Sequence, residues 1–99
     1  MSTVDQARLF PSDDEFLTWA AANPKGFVLN LRSNFDPGYV VLHKASCGAL
    51  TGNSYLEGAL TQRWYSKVGA DSPDALLDWI RAHVGGCSGF SKHCGLCKP

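Results

Sequence analysis

Hydrophobic positions recur along this chain with two periods, and the switches between them mark its elements. Phe16, Trp19, Ala20 and Asn23 follow one another at helical spacing behind Ser12-Asp13-Asp14-Glu15. Ser12 there is placed to accept from the Glu15 backbone and Glu15 to reach back, a capping box with acids at the positive end of the helix dipole. Asn23-Pro24 and Gly26 stop that helix. Phe27 to Arg32 then alternates, with Phe27, Leu29 and Leu31 against Val28, Asn30 and Arg32, which predicts a half-buried strand. Tyr39-Val40-Val41-Leu42-His43 predicts a second. Asp36-Pro37-Gly38 supplies a turn between them, so Ser33 to Gly38 reads as a hairpin loop. Residues 48–61 contain Gly48, Gly52, Asn53, Ser54 and Gly58 and read as an irregular loop. Gln62 to Val68 alternates again and predicts a third strand. Ser72-Pro73 is an N-cap followed by proline at the first helical position, and Leu76, Trp79, Ile80 and His83 or Val84 mark one face of a second helix. Gly85-Gly86 ends it.

These elements predict an α+β fold: a small antiparallel sheet of about three strands, two helices packed on it, and a C-terminal knuckle. Residues 1–11 read as a leader, and 12–99 as a single domain. Trp19 and Trp79 fall on apolar helix faces and are expected in the core. A chain of 99 residues buries only about 60–65% of its unfolded surface, so a staple is expected. The tail from Cys87 to Pro99 is too small and polar to hold itself by packing.

Composition narrows the function. With 44% hydrophobic residues the chain is no disordered segment. Nine basic and nine acidic side chains cancel, which excludes a strongly basic coat protein for nucleic acid. The distribution is uneven, however. Residues 1–24 carry one basic and four acidic groups, and residues 25–67 carry five basic and two acidic ones. The N-terminus lacks a basic start followed by an apolar run, and the apolar stretches are far too short to span a bilayer. The expectation is a soluble cytoplasmic protein without a membrane partner. Paired carboxylates, a Ser-His-Asp pattern and a phosphate loop ahead of a helix do not stand out, so an enzyme is not indicated.

The chemistry lies in the thiols. Four cysteines in an intracellular chain favour metal or redox chemistry over structural disulfides. His43-x3-Cys47 ends a strand and Cys94-x2-Cys97 sits at the C-terminus. Together they provide one imidazole and three thiolates, a set that zinc accepts in a closed tetrahedron. The Cys-x2-Cys spacing aims two thiolates at one ion, and such a site would pin the tail onto the hairpin. Three alternatives stand beside it: a redox dithiol or disulfide, Cys87 in place of His43, and, least favoured, His93 as a ligand, since adjacent residues point apart.

The run Tyr39 to Cys47, the helix start Ser72-Pro73-Asp74-Ala75-Leu76, and Cys94-Gly95-Leu96-Cys97-Lys98-Pro99 together resemble the metal-binding domain of Ada-type DNA-repair proteins and related modules attached to bacterial nucleases. Asn23-Pro24-Lys25-Gly26-Phe27-Val28-Leu29-Asn30 and Phe90 to Cys97 are similar to small actinobacterial domains found alone and beside nuclease domains. The resemblance spans residues from about 12 to 99. It implies metal at His43, Cys47, Cys94 and Cys97, gives Cys87 no counterpart, and implies work on DNA. Ada-type domains use four cysteines, one of which accepts a methyl group; His43 takes one of those places here, which counts against methyl transfer.

A binding face follows from the third strand. Arg63, Tyr65 and Lys67 alternate, so they share a face, and Arg32 on the hairpin extends it. Basic and aromatic side chains so interleaved can hold phosphates and stack bases. The leading expectation is a zinc-stabilised nucleic-acid-binding module. Zero net charge supports a rival, a protein-interaction or inhibitor module regulating a larger enzyme. Redox or metal sensing through Cys87 and the other thiolates is a third reading.

Overall fold

The computed structural model describes residues 7–47, 61, 65–87, 89–95 and 99. In chain order these form β1 (Arg8–Leu9), α1 (Asp13–Ala22), β2 (Phe27–Arg32), β3 (Val40–Lys44), β4 (Tyr65–Ala70), α2 (Pro73–His83) and β5 (Lys92–His93). The fold is α+β. Its sheet has five strands rather than about three, in the order β1-β4-β2-β3-β5. It is also mixed rather than antiparallel, because β5 runs parallel to β3. The two additional strands, β1 and β5, are two residues each, too short for alternation to reveal them. Among the described residues no helix is long and apolar enough to cross a membrane.

Both helix starts are capped as the sequence predicts. The Ser12 hydroxyl accepts from the Glu15 backbone and the Ser72 hydroxyl from the Ala75 backbone. The Glu15 carboxylate does not close the box; it accepts instead from Arg8 at 2.9 Å. The leader expectation for residues 1–11 is corrected at its end. Arg8 and Leu9 pair with Gly69 and Val68, and Phe10 is 2% exposed against Phe16 and Trp19. One aromatic anchor carries no periodicity, so the sequence pattern places the boundary late.

The helices cover opposite faces of the sheet. On one face α1 lays Phe16 against Val28 and Val41, with Phe10 and Trp19 beside them. On the other, Leu76 and Ile80 of α2 meet Leu29, Leu31, Val40, Leu42, Val68 and Ala70. Two-residue periodicity decides this division, since β2 sends Val28, Asn30 and Arg32 to the α1 face and Leu29 and Leu31 to the α2 face. Trp19 and Trp79 are only partly buried and pack at the margins of these clusters rather than within them. The Trp19 ring lies so close to β2 and β4 that a Cβ added at Gly69 would sit 2.8 Å from its Cζ3, and one added at Gly26 2.9 Å from its Cη2. Glycine at both positions makes room for the ring.

The β2–β3 hairpin has the predicted loop. The Asp36 carboxylate accepts from the Gly38 backbone, and Phe35 adopts a left-handed backbone with φ 57°. A bulky residue holds that conformation only when its surroundings require it. Here the Phe35 ring packs edge-on against Trp79 at 5.5 Å, bracing the hairpin tip against α2.

Candidate metal centre and basic-aromatic face

His43 is near the end of β3, on the α1 face opposite Val28. Cys47 follows in a turn closed by its own backbone N–H donating to the Lys44 carbonyl, with Ala45 N–H donating to the Gly26 carbonyl. The polar tail finds its support on the edge of β3. Ser91 N–H donates to the Val40 carbonyl, the Ser91 hydroxyl accepts from the Val40 N–H, and Cys94 N–H donates to the Leu42 carbonyl. These bonds deliver Cys94 to the hairpin from 47 residues away in sequence.

The result is a buried group of His43, Cys47 and Cys94 whose ligating atoms all lie within 4.8 Å of one another. The Cys47 and Cys94 Sγ atoms are 3.8 Å apart. A disulfide bond would require about 2.05 Å. The edge of a tetrahedron built on metal–sulfur bonds of about 2.3 Å is about 3.8 Å. The Nδ1 atom of His43 is buried and has no hydrogen-bond partner. A buried imidazole nitrogen without a partner is costly in an apolar setting. Burial, with Lys67 as a second cause, lowers the His43 pKa from 6.5 to about 4. The ring is therefore neutral near pH 7 and has a lone pair to offer. Close thiols, a spare imidazole lone pair and a water-poor setting fit a metal ion.

The other sequence candidates lie elsewhere. Cys97 falls outside the described residues. Cys87 packs against the α2-face cluster and its thiol donates to the Gly89 carbonyl, so it does not take the place of His43. His93 is exposed, with its ring edge-on to Phe90.

Of the four residues expected on the binding face, the structure brings three together, Arg32, Tyr65 and Lys67, the Lys67 ammonium lying 5.3 Å over the Tyr65 ring. The Arg32 guanidinium lies 4.7 Å over the Tyr39 ring and 6.0 Å from the Tyr65 ring, and the two tyrosine rings are 5.9 Å apart. Arg32 is exposed and both tyrosines are half-buried. Tyr39 is the residue that sequence reasoning missed. The hairpin register contains the signal, since pairing Leu31 with Val40 leaves Arg32 and Tyr39 facing each other across the loop. Arg63 falls outside the described residues.

Lys67 is a correction. It is only 3% exposed and donates to the Asn30 Oδ1 at 2.7 Å, with its ammonium 6.0 Å from the Phe16 ring. Its face of β4 is roofed by α1, which strand alternation alone does not disclose. Burial lowers its pKa from 10.5 to about 8, against an opposing pull from Asp13. Between those values the unfolded chain holds a proton that the folded chain releases, so stability should rise with pH across that window. From about pH 8 to about pH 9.5 the gain should be about 1.5 kcal/mol. Lys67→Met should flatten that rise, as urea unfolding at several pH values would show.

The fold and site together define a small α+β domain with a buried His/Cys/Cys group that could hold a metal ion. Comparison with protein-family models, with curated proteins and with solved structures returned no match.

Proposed function

We propose that this chain is a zinc-stapled nucleic-acid-binding module of the cytoplasm, acting in DNA-related work beside a nuclease, as its sequence resemblance implies. Zinc is the ion that a mixed imidazole and thiolate set favours. His43, Cys47 and Cys94 would hold it, with Cys97 as the fourth ligand, and a closed set of four makes its role structural. Bound there, the ion would tie β5 and the tail to the β2–β3 hairpin. The contact surface is at the other end of the hairpin. The observation that carries the reading is the exposed Arg32 guanidinium stacked over Tyr39 beside Tyr65. A guanidinium supplies phosphate contacts, and tyrosine faces supply base contacts. The basic excess of residues 25–67 points the same way.

Binding to mixed-sequence nucleic acid, measured at several salt concentrations, tests this. Arg32→Glu should weaken it and reduce the salt slope by about one, the value for one phosphate contact. Metal content should be unchanged, because Arg32 is exposed. Lack of affinity for DNA and RNA even at low salt would defeat the reading. The balanced net charge would then favour a protein-interaction or inhibitor module.

A further inference from the structure

We infer that the Arg32–Tyr39–Tyr65 end of the sheet takes unpaired bases, so that the ligand class is single-stranded nucleic acid rather than duplex; this rests on the nucleic-acid reading above. Three features of the molecule support the choice.

The first is the chemistry of the cluster. It gathers two half-buried aromatic rings and one exposed planar cation, the groups on which bases stack, with Arg32 over the Tyr39 ring and the Lys67 ammonium 5.3 Å over the Tyr65 ring. The rings are tilted by 42° at 5.9 Å, so they do not satisfy each other face to face. Base faces in a duplex are covered by their neighbours and are withheld from a flat protein surface. In a single strand they are available, and stacking on aromatic or guanidinium planes is the usual means of capture.

The second is the shortage of charge. Duplex binding without base readout depends on the number of phosphates neutralised. The chain has no net charge, and burial removes Lys67 from the surface. Arg32 is the exposed cation of this cluster. One or a few phosphate contacts give a duplex little affinity, while a single strand adds stacking to the same contacts.

The third is rigidity. The Tyr39 hydroxyl accepts from the Asn30 amide, and the Asn30 carbonyl oxygen accepts from Lys67, so a side-chain chain reaches from the core to the platform. From the opposite face Phe35 on Trp79 braces the loop between Arg32 and Tyr39. The Asp36 carboxylate, the acid of that loop, is engaged by the Gly38 N–H. A platform held in place before binding loses less entropy when a base arrives.

Fluorescence anisotropy at about 50 mM salt with the full metal-loaded chain tests the inference. The probes are labelled oligothymidylate of about 16 nucleotides, oligouridylate of the same length, and the duplex of the thymidylate strand with its complement. The single strands should bind at least about tenfold more tightly than the duplex, since each stacked base contributes on the order of a factor of ten. Tyr65→Ala should weaken single-strand binding about tenfold, and Tyr65→Phe, which keeps the ring, should bind as the parent does. Metal content and thermal unfolding of each variant separate a lost contact from a lost fold, and where the alanine variant unfolds, Tyr65→Leu, which fills the space without a π face, takes its place and should weaken single-strand binding to a similar degree. Equal affinity for duplex and single strands, or unchanged binding by folded Tyr65→Ala, overturns the single-strand inference and leaves the nucleic-acid reading standing. Failure of every probe to bind overturns both.

Discussion

Cys94→Ser should release the metal and loosen the C-terminal tail. The parent is expected to carry about one zinc per chain, because a closed site of this donor set is a structural one. Cys94 is buried 3.8 Å from the Cys47 sulfur, and its backbone is the last link between β5 and the Leu42 carbonyl. A serine hydroxyl is a poor ligand for zinc, and the metal's binding energy is also folding energy. The loss should exceed about 3 kcal/mol, beyond the range of ordinary surface substitutions. Elemental analysis and urea unfolding measure both effects. His43→Ala should also lose the metal, because three thiolates without the imidazole leave the tetrahedron open, and Cys97→Ser should do so as the fourth ligand. Cys87→Ser should keep it, since that thiol lies against the other cluster and bonds to Gly89. Metal retained by His43→Ala and lost from Cys87→Ser would refute the ligand assignment.

Phe16→Ala should cost about 3–5 kcal/mol, the range for removing a large buried aromatic. Phe16 is 0% exposed beneath α1 and meets Phe10 at 5.6 Å between ring centroids. Its neighbours Val28 and Val41 belong to the β-sheet, which limits how far the void can close. Trp79→Ala, which the helix pattern alone ranks with it, should cost less, because Trp79 is half-buried and rests on Phe35 and His83 at the margin. Equal costs in urea unfolding would contradict this ordering of the two cores.

Ser12, Ser72 and Pro73 specify helix starts through bonds that close within three residues, and these were legible in the sequence. The alternation over Phe27–Arg32 was legible for the same reason, because a pleated strand exposes its two faces in turn. The spacing of His43 and Cys47 marked them as candidate ligands before any distance was known. Cys94 was marked with Cys97 as a candidate ligand through the terminal Cys-x2-Cys.

What the sequence by itself determined, then, is the α+β class and the candidate residues His43, Cys47 and Cys94 of a group that could hold a metal ion, since these arise from short-range periodicity and from the identity of the side chains. The tertiary structure alone decided how these parts meet. It set β5 parallel to β3 and so brought Cys94 to 3.8 Å from Cys47. It laid α1 over one face of the sheet, and Lys67, alternating in phase with Tyr65, went under that roof while Tyr65 remained at its edge. It paired Leu31 with Val40 and thereby placed Tyr39 beneath Arg32. The physical reason is common to all three. Which face of a strand is covered, and which strands become neighbours, depends on burying apolar surface across the whole chain, and no local pattern encodes the partner that covers it.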